Sequence, residues 1–588
     1  MSPAEAQRGH RGRRGPAIGG VAYSVTFDSA TARERTLKVG MTFSTSGRGP
    51  VLLSVPAWTP GAYELSYFAR WVSNVTVSGD GKSLAWDKAD HDTWRLHTNG
   101  ARDISITFDV RADSLDNAMA WSRDDFAFFN GTTVFPYPEG EALDFAATVT
   151  VNTMPAWWVA TGMPRAGAPH SFRATSYHDL VDMPFFVGRF DYDSALVSDK
   201  WVRLATYPAR TLTGASRARL WDQLKRMIPP QIAVFRQVPF DTYTTLIVFD
   251  SAYGGASALE HQNSHLGIYS PFVIGSVLLP SITAHEIFHA WNVKRLRPAE
   301  LWPYRYDEEQ PTPLLWVSEG ITDYYADLAL VRGGVIDSTG FFGLTAGKIS
   351  EIGAVPPVAL EDASLSTWVH PVDGTGYLYY PKGSLVGLII DILIRDASDN
   401  RASLDDLLRR LYEETYLRDR GFTTEQFWRT ATAVAGGKDF GDVYARYVDG
   451  REPLPWNTVL PLAGLRLITD TLRQPSLGVT TLPDSAGILV TAVDSDGAVG
   501  VAGVQPGDYL ISIGDIPVDD QDFGTKFRSA FGTRAGVPLP IRVRRDGEEL
   551  ALTGEARVQV ELQPRIVADP AANAKAARIR AGILRGGA

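Results

Sequence analysis

The sequence predicts a multidomain α+β protein: a β-sandwich-like domain first, a largely helical region next, and a small β-rich module last. Three observations predict it. Short alternating apolar runs fill roughly the first 190 residues, helix-spaced apolar residues dominate from about 200, and strand-and-turn patterns return after Pro453-Leu454-Pro455. At 588 residues the chain can hold on the order of three or four domains, each with its own core.

The amino-terminal stretch, 1–19, is basic (Arg8, Arg11, Arg13, Arg14) and Gly-rich, and predicts a disordered tail. No hydrophobic segment follows it, so no signal peptide is visible. Residues 20–195 read as the β domain. Val21 to Phe27, Leu37 to Phe43 and Val51 to Val55 are strand-like, and Ile104, Ile106, Phe108 and Val110 alternate cleanly. His91, His97, His170 and His178 are scattered there and read as structural or surface residues. Residues 196–395 form the predicted catalytic domain, with a helix over 215–236 and a strand from Thr244. Residues 396–460 read as a helical lobe, opened by Ser403 ahead of Leu404, Leu407 and Leu408. Residues 465–560 read as the small module and 561–588 as a frayed, Ala- and Arg-rich helical tail.

Composition narrows the functions. A net charge of −10 argues against a nucleic-acid partner. The absence of cysteine excludes disulfides, cysteine catalysis and thiolate metal ligands. The longest apolar runs, such as Leu385 to Ile394, are too short to span a bilayer.

His285-Glu286-Ile287-Phe288-His289 carries the chemistry. Residues four apart share a helix face, so His285 and His289 can offer two imidazoles to one tetrahedral zinc ion. Glu286 sits one residue on, where its carboxylate can reach a water at the metal. Pro280-Ser281 offers a helix start and Pro298 a stop. The flanks are apolar (Ile282, Ala284, Ile287, Phe288, Ala290, Trp291), and two histidines buried in such a helix need a partner.

Two glutamates compete to be the third ligand. Glu308 stands in a polar, proline-broken stretch that reads as a solvated loop. Glu319 stands in the apolar, helix-like Leu315 to Asp327, which would present its carboxylate from a rigid element. That favours Glu319. Asp323, one turn on, is placed to take the second hydrogen of a ligating imidazole.

Two further segments supply candidates. Tyr253 to Ser264 is rich in small residues and allows close approach of an extended substrate beside an edge strand. Glu260 within it can meet a substrate's amino terminus, or is a charged residue of a hairpin turn. Tyr377, Tyr379 and Tyr380 precede the apolar helix from Leu385. Each is a candidate to stabilise an oxyanion, and each is also an ordinary packing residue. In the last module, the Gly503 to Asp508 turn, the strand Tyr509 to Ile513 and the helix carrying Phe523, Phe527 and Phe531 resemble a bacterial-type PDZ domain. Such domains bind peptide ends by strand addition, and Leu477-Gly478-Val479 is the candidate carboxylate loop.

Taken together the chain resembles the PDZ-containing glycyl aminopeptidases, within the thermolysin-like zinc peptidases that use glutamate as third ligand. The resemblance covers about 20 to 560. It rests on Trp58-Thr59-Pro60-Gly61-Ala62-Tyr63, Leu259-Glu260-His261 with Ser264, the His285 motif, Trp316-Val317-Ser318-Glu319-Gly320, Tyr380-Pro381-Lys382-Gly383 and the terminal module. It implies one zinc held by His285, His289 and Glu319, with Glu286 as base. It implies Tyr380 as oxyanion stabiliser, Glu260 as amino-terminus anchor, peptide substrates with small first residues, and export to the periplasm. The chain departs from the pattern at Ala256-Ser257-Ala258, where related chains are richer in glycine. The rival expectations are a zinc endopeptidase of the same fold, an aminopeptidase of broad side-chain range, and a PDZ adaptor with a decayed peptidase site. Oligomeric state and natural substrate are not legible.

Overall fold

The computed structural model describes residues 16–140, 142–484, 486–520 and 522–587. The expected tail over 1–19 therefore lies largely outside the described residues, and a strand already begins at Ile18. The chain forms two compact units: residues up to Arg466 together with those from Ala568 on, and Leu467–Val567.

The first unit opens with a β-rich domain. Its largest sheet has seven strands, in the order Ser171–Ala174, Ala147–Thr153, Ile18–Phe27, Thr36–Thr45, Asp103–Arg111, Val72–Gly79 and Lys82–Ser83. The alternation seen in sequence fixes its register. Leu37, Val39, Met41 and Phe43 stand opposite Val110, Phe108, Ile106 and Ile104, and all eight are buried. A one-residue slip would turn that entire set outward. A loop leaving this domain at Val55 docks on the catalytic region: Ala57 N–H donates to Tyr306 O (2.6 Å), and the Trp58 indole donates to Arg305 O (2.8 Å).

A second sheet follows, in the order Asp191–Val197, Lys200–Tyr207, Thr242–Phe249, Ser264–Tyr269 and Ala256–His261. Its middle pairings are parallel, with helix Gly214–Phe235 as one crossover. The last strand, Ala256–His261, pairs antiparallel with Ser264–Tyr269 and is the sheet's edge. An edge strand keeps unpaired backbone groups for an added strand.

Helices complete the region. Helix Leu278–Phe288 packs on Ile321–Arg332, and Pro381–Ala397 packs on both that helix and the preceding turn Trp316–Gly320. The close approach of these last two needs glycine. A Cβ on Gly320 would lie 2.6 Å from Gly383 Cα, and one on Gly383 would lie 3.0 Å from Gly320 Cα. Ser403 caps Leu404–Glu414 with a reciprocal bond from Asp406.

Two expectations are corrected. The His285 helix ends at Phe288, ten residues before Pro298. The chain instead turns beyond His289, and Arg295 donates to Ala290 O (2.6 Å), Gln262 O (2.8 Å) and Pro239 O (2.8 Å). A side chain thus satisfies a carbonyl that further helix would have bonded. The residues from 561 on are no frayed tail. A strand runs Arg557–Ala568, and helix Ala574–Arg585 buries Ala576, Ile579 and Ile583 in the first unit. Arg332 donates to Ile583 O (3.1 Å), Arg395 to Gly587 O (3.0 Å) and Arg580 to Gly464 O (2.6 Å).

The second unit has its own core of Val490, Val499, Leu510, Ile513, Phe527, Leu539, Ile541 and Val543. Its sheet runs Val479–Asp484, Gly487–Val493, Tyr509–Ile513, Pro538–Arg545 and Glu548–Glu555, beside helix Phe523–Phe531. Val479, Leu510 and Phe523 line a groove along the first of these strands. No described helix is long and apolar enough to cross a membrane.

Candidate active site

His285 and His289 meet because one helical turn separates them; His289 caps the helix end, its N–H donating to His285 O (3.3 Å). Around this helix buried donors hold the backbone. Tyr243 OH donates to Glu286 O (3.0 Å) and Gln231 to Ala284 O (2.9 Å). Glu319 arrives from a π-helical turn, Trp316–Gly320, that leads into Ile321–Arg332. Such turns recur at functional sites because the widened helix re-aims a side chain. Asn292 ties the two segments, donating to Val317 O (2.8 Å) and Thr322 Oγ1 (2.9 Å).

Three donor atoms converge. His285 Nε2 and His289 Nε2 are 2.9 Å apart, and Glu319 Oε2 lies 3.4 Å from the first and 3.2 Å from the second. A tetrahedral ion with bonds of about 2.0–2.2 Å sets its donors about 3.3–3.6 Å apart. One separation falls in that range and the other two are shorter, so the three atoms face one point more tightly than a bound ion would hold them, and their two-nitrogen, one-oxygen composition suits a metal ion. His289 Nδ1 donates to Asn292 O (2.6 Å), which orients the ring with its Nε2 toward the cluster. Burial alone would push the Glu319 carboxyl up, but His289 and the hydrogen bonds of both histidines hold it well below the usual carboxylate range.

Asp323 faces His285 Nδ1 at 3.8 Å, beyond hydrogen-bond reach. It is held instead by Lys348 Nζ at 2.6 Å, which also meets Asp327 at 2.7 Å. Glu308 lies elsewhere, in a half-exposed ion pair with Arg305 (3.0 Å).

Glu286 and Glu260 are buried beside this group. Burial pushes the Glu286 carboxyl up to about 8 against the pull of His289, and its Oε2 accepts no hydrogen bond among the described residues. Glu260 stands on the edge strand, 4% exposed, so it is no surface residue of a hairpin turn. Burial pushes its carboxyl up to about 6, opposed by Lys294 and His289. The Lys294 ammonium is 3.8 Å from Glu260 Oε1 but is hydrogen-bonded by Asp182 at 3.0 Å, so Oε1 too accepts no hydrogen bond. Asp182 also engages His261 Nδ1 (3.0 Å) and the Gln262 N–H (3.0 Å).

Of the three tyrosines, Tyr380 caps helix Pro381–Ala397 with its ring centroid 5.8 Å from that of His285. Burial, then Glu319, raises its hydroxyl well above the ordinary value, so it is a neutral donor. Tyr379 is buried and turned to Thr367 Oγ1 (3.2 Å), while Tyr377 is 59% exposed and stacks on Tyr380 (4.7 Å).

Sequence reasoning missed Tyr63, Asp182, Asn292, Lys294 and Lys348. The signal for Tyr63 was present in Trp58-Thr59-Pro60-Gly61-Ala62-Tyr63, quoted as a motif without a role. The others had only their nearness in sequence to known elements.

The chain is also similar to known proteins. Residues 22–189 match the Peptidase M61 N-terminal domain, and residues 279–386 match the M61 glycyl aminopeptidase domain. The fold is similar to that of an aminopeptidase N family protein from Idiomarina loihiensis, at a TM-score of 0.77 and 22% identity over 96% of this chain and 100% of that one. An M1 zinc metallopeptidase from Deinococcus radiodurans gives a TM-score of 0.48 at 14% identity, over 76% of this chain and 96% of its own. Native yeast LTA4 hydrolase gives 0.47 at 12%, over 77% and 73%. Among curated proteins nothing matches. Two stretches of the chain thus match domain models of peptidase family M61, and the chain is a peptidase, a hydrolase of peptide bonds.

Proposed function

We propose that the chain is a zinc-dependent aminopeptidase that removes small amino-terminal residues, Gly and Ala, from peptides. His285, His289 and Glu319 would hold one zinc ion, with Asp323, anchored by Lys348, facing the outer nitrogen of His285 at 3.8 Å. When bound, the ion supplies a Lewis acid for the scissile carbonyl and a water of lowered pKa. Glu286, buried with a free carboxylate oxygen, takes the proton of the attacking water and returns it to the leaving amine. Tyr380 donates its hydroxyl to the carbonyl oxygen as charge develops there. The substrate backbone adds to the open edge of strand Ala256–His261, which runs its first residue toward Glu260.

One observation carries the exopeptidase reading: a buried Glu260 whose Oε1 has no hydrogen-bond donor among the described residues. A substrate ammonium would supply that donor. A charge-assisted contact of this kind contributes about 1.5–3 kcal/mol. Glu260→Ala is therefore expected to lower kcat/KM on free peptides by about 10–100-fold. Acetylated peptides should resist the wild type. Efficient cleavage of an acetylated peptide at an internal bond would instead establish the endopeptidase reading, with Glu260 only structural.

For the second unit we propose a PDZ-type module that takes a peptide or protein end. Its support is the edge strand Val479–Asp484, the facing helix Phe523–Phe531 and the left-handed Gly478 (φ 68°) at the strand's start. Fluorescent peptides with free and amidated carboxyl ends, titrated into the whole chain, test it; equal or absent binding of the two would sink it.

A further inference from the structure

We propose that Tyr63, from the amino-terminal domain, is a positioning residue that holds Glu319 to a single-oxygen presentation toward the histidine pair. This rests on the metal reading above. The two oxygens of Glu319 are divided between two tasks. Oε2 faces His289 Nε2 (3.2 Å) and His285 Nε2 (3.4 Å), while Oε1 accepts the Tyr63 hydroxyl at 2.9 Å. The exchange takes place out of solvent, with Tyr63 4% and Glu319 2% exposed. For Oε1 to turn toward the same ion as Oε2, it would have to leave its buried donor.

The backbone is built to place that hydroxyl. Tyr63 has φ 50°, in the left-handed region that bulky residues avoid. Such a conformation persists only where its surroundings over-determine it, and here they do. Ala62 N–H donates to Thr59 O (3.0 Å), closing the turn. Gly61 (φ 109°) lies so close to Glu260 that a Cβ would stand 2.6 Å from both carboxylate oxygens. The Tyr63 ring meets Trp368 edge-on at 6.1 Å, and Trp368 meets Trp58 at 5.0 Å. One loop of the β domain thus touches both the third metal-facing residue and the candidate anchor for the substrate.

Tyr63→Phe keeps the ring and its aromatic contacts and removes the donor. The metal-free variant is expected to melt at the wild-type temperature. Its zinc dissociation constant, measured by chelator competition, should rise by about 10–100-fold, as when other partners of metal ligands are lost. The visible absorption of the cobalt-substituted protein should also change, because Glu319 is then free to offer both oxygens. Trp368→Phe loosens the ring's support but keeps the hydroxyl, and should leave zinc affinity and cobalt spectrum close to wild type. Equal zinc affinity and superimposable cobalt spectra for Tyr63→Phe and wild type would overturn the proposal, as would a Trp368→Phe defect as large. A wild type that takes up neither ion would overturn the metal reading beneath it.

Discussion

Glu286→Gln is expected to leave fold and zinc content intact while lowering kcat by about 10²–10⁴. The substitution keeps size and shape, so helix Leu278–Phe288 and its packing on Ile321–Arg332 are undisturbed. The two histidines and Glu319 are untouched. What is lost is the capacity to accept a proton, since a carboxamide oxygen is far less basic than a carboxylate. Glu286 is 5% exposed, so bulk water cannot readily stand in for it. Zinc analysis, thermal melting and single-turnover kinetics on one preparation make the test. A variant that turns over at the wild-type rate would remove Glu286 from the chemistry. In the same assay Tyr380→Phe should lower kcat by about 10² with little change in KM, as for loss of one oxyanion donor.

Glu319→Gln is expected to strip the zinc, weakening binding by more than about 100-fold, whereas Glu308→Gln should bind as wild type does. The reasoning is electrostatic. His285 and His289 are neutral donors when they ligate, so Glu319 supplies the only ligand charge among the three in a largely buried site. Glutamine offers a dipole in place of that charge. Glu308 is half-exposed and paired with Arg305, so its neutralisation is screened by water. Metal content after dialysis against a weak chelator distinguishes the two. Zinc lost from the Glu308 variant and kept by the Glu319 variant would reverse the ligand choice.

What the sequence disclosed, and what it hid, follows from distance along the chain. His285 and His289 are a local pair, and a local helical period was enough to read them. Glu319 could be preferred to Glu308 because apolar neighbours mark a buried element and prolines mark a loop. Tyr63 meets Glu319 across 256 positions, and no period or spacing encodes such a contact. Lys294 and Asp182 are hidden for the same reason: a lysine near a helix end reads as solvated, and only the fold reveals its side chain to be fully buried. The end of the His285 helix lies short of Pro298 because the chain turns directly after His289, where Arg295 satisfies the Ala290 carbonyl without any proline. The Ala- and Arg-rich segment after 561 misled for a related reason. Its arginines suggested solvent, yet Ala576, Ile579 and Ile583 recur at helical spacing on one buried face.

That last helix makes the second unit an insertion, and this orders the birth of the molecule on the ribosome. The peptidase unit needs Ala574–Arg585 to cover Arg332 and Arg395, but synthesis must pass through all of Leu467–Val567 first. Until then the carbonyls of Ile583 and Gly587 are missing, while Arg332 keeps Asp405 (3.0 Å) and Arg395 keeps Asp391 (3.0 Å) as partners. The two junctions meet again where Asp569 N–H donates to Gly464 O at 2.9 Å, so the visitor domain enters and leaves through one doorway. Cutting the chain after Arg466 would remove a structural strut together with the module, whereas excising the module and rejoining the doorway would keep the strut.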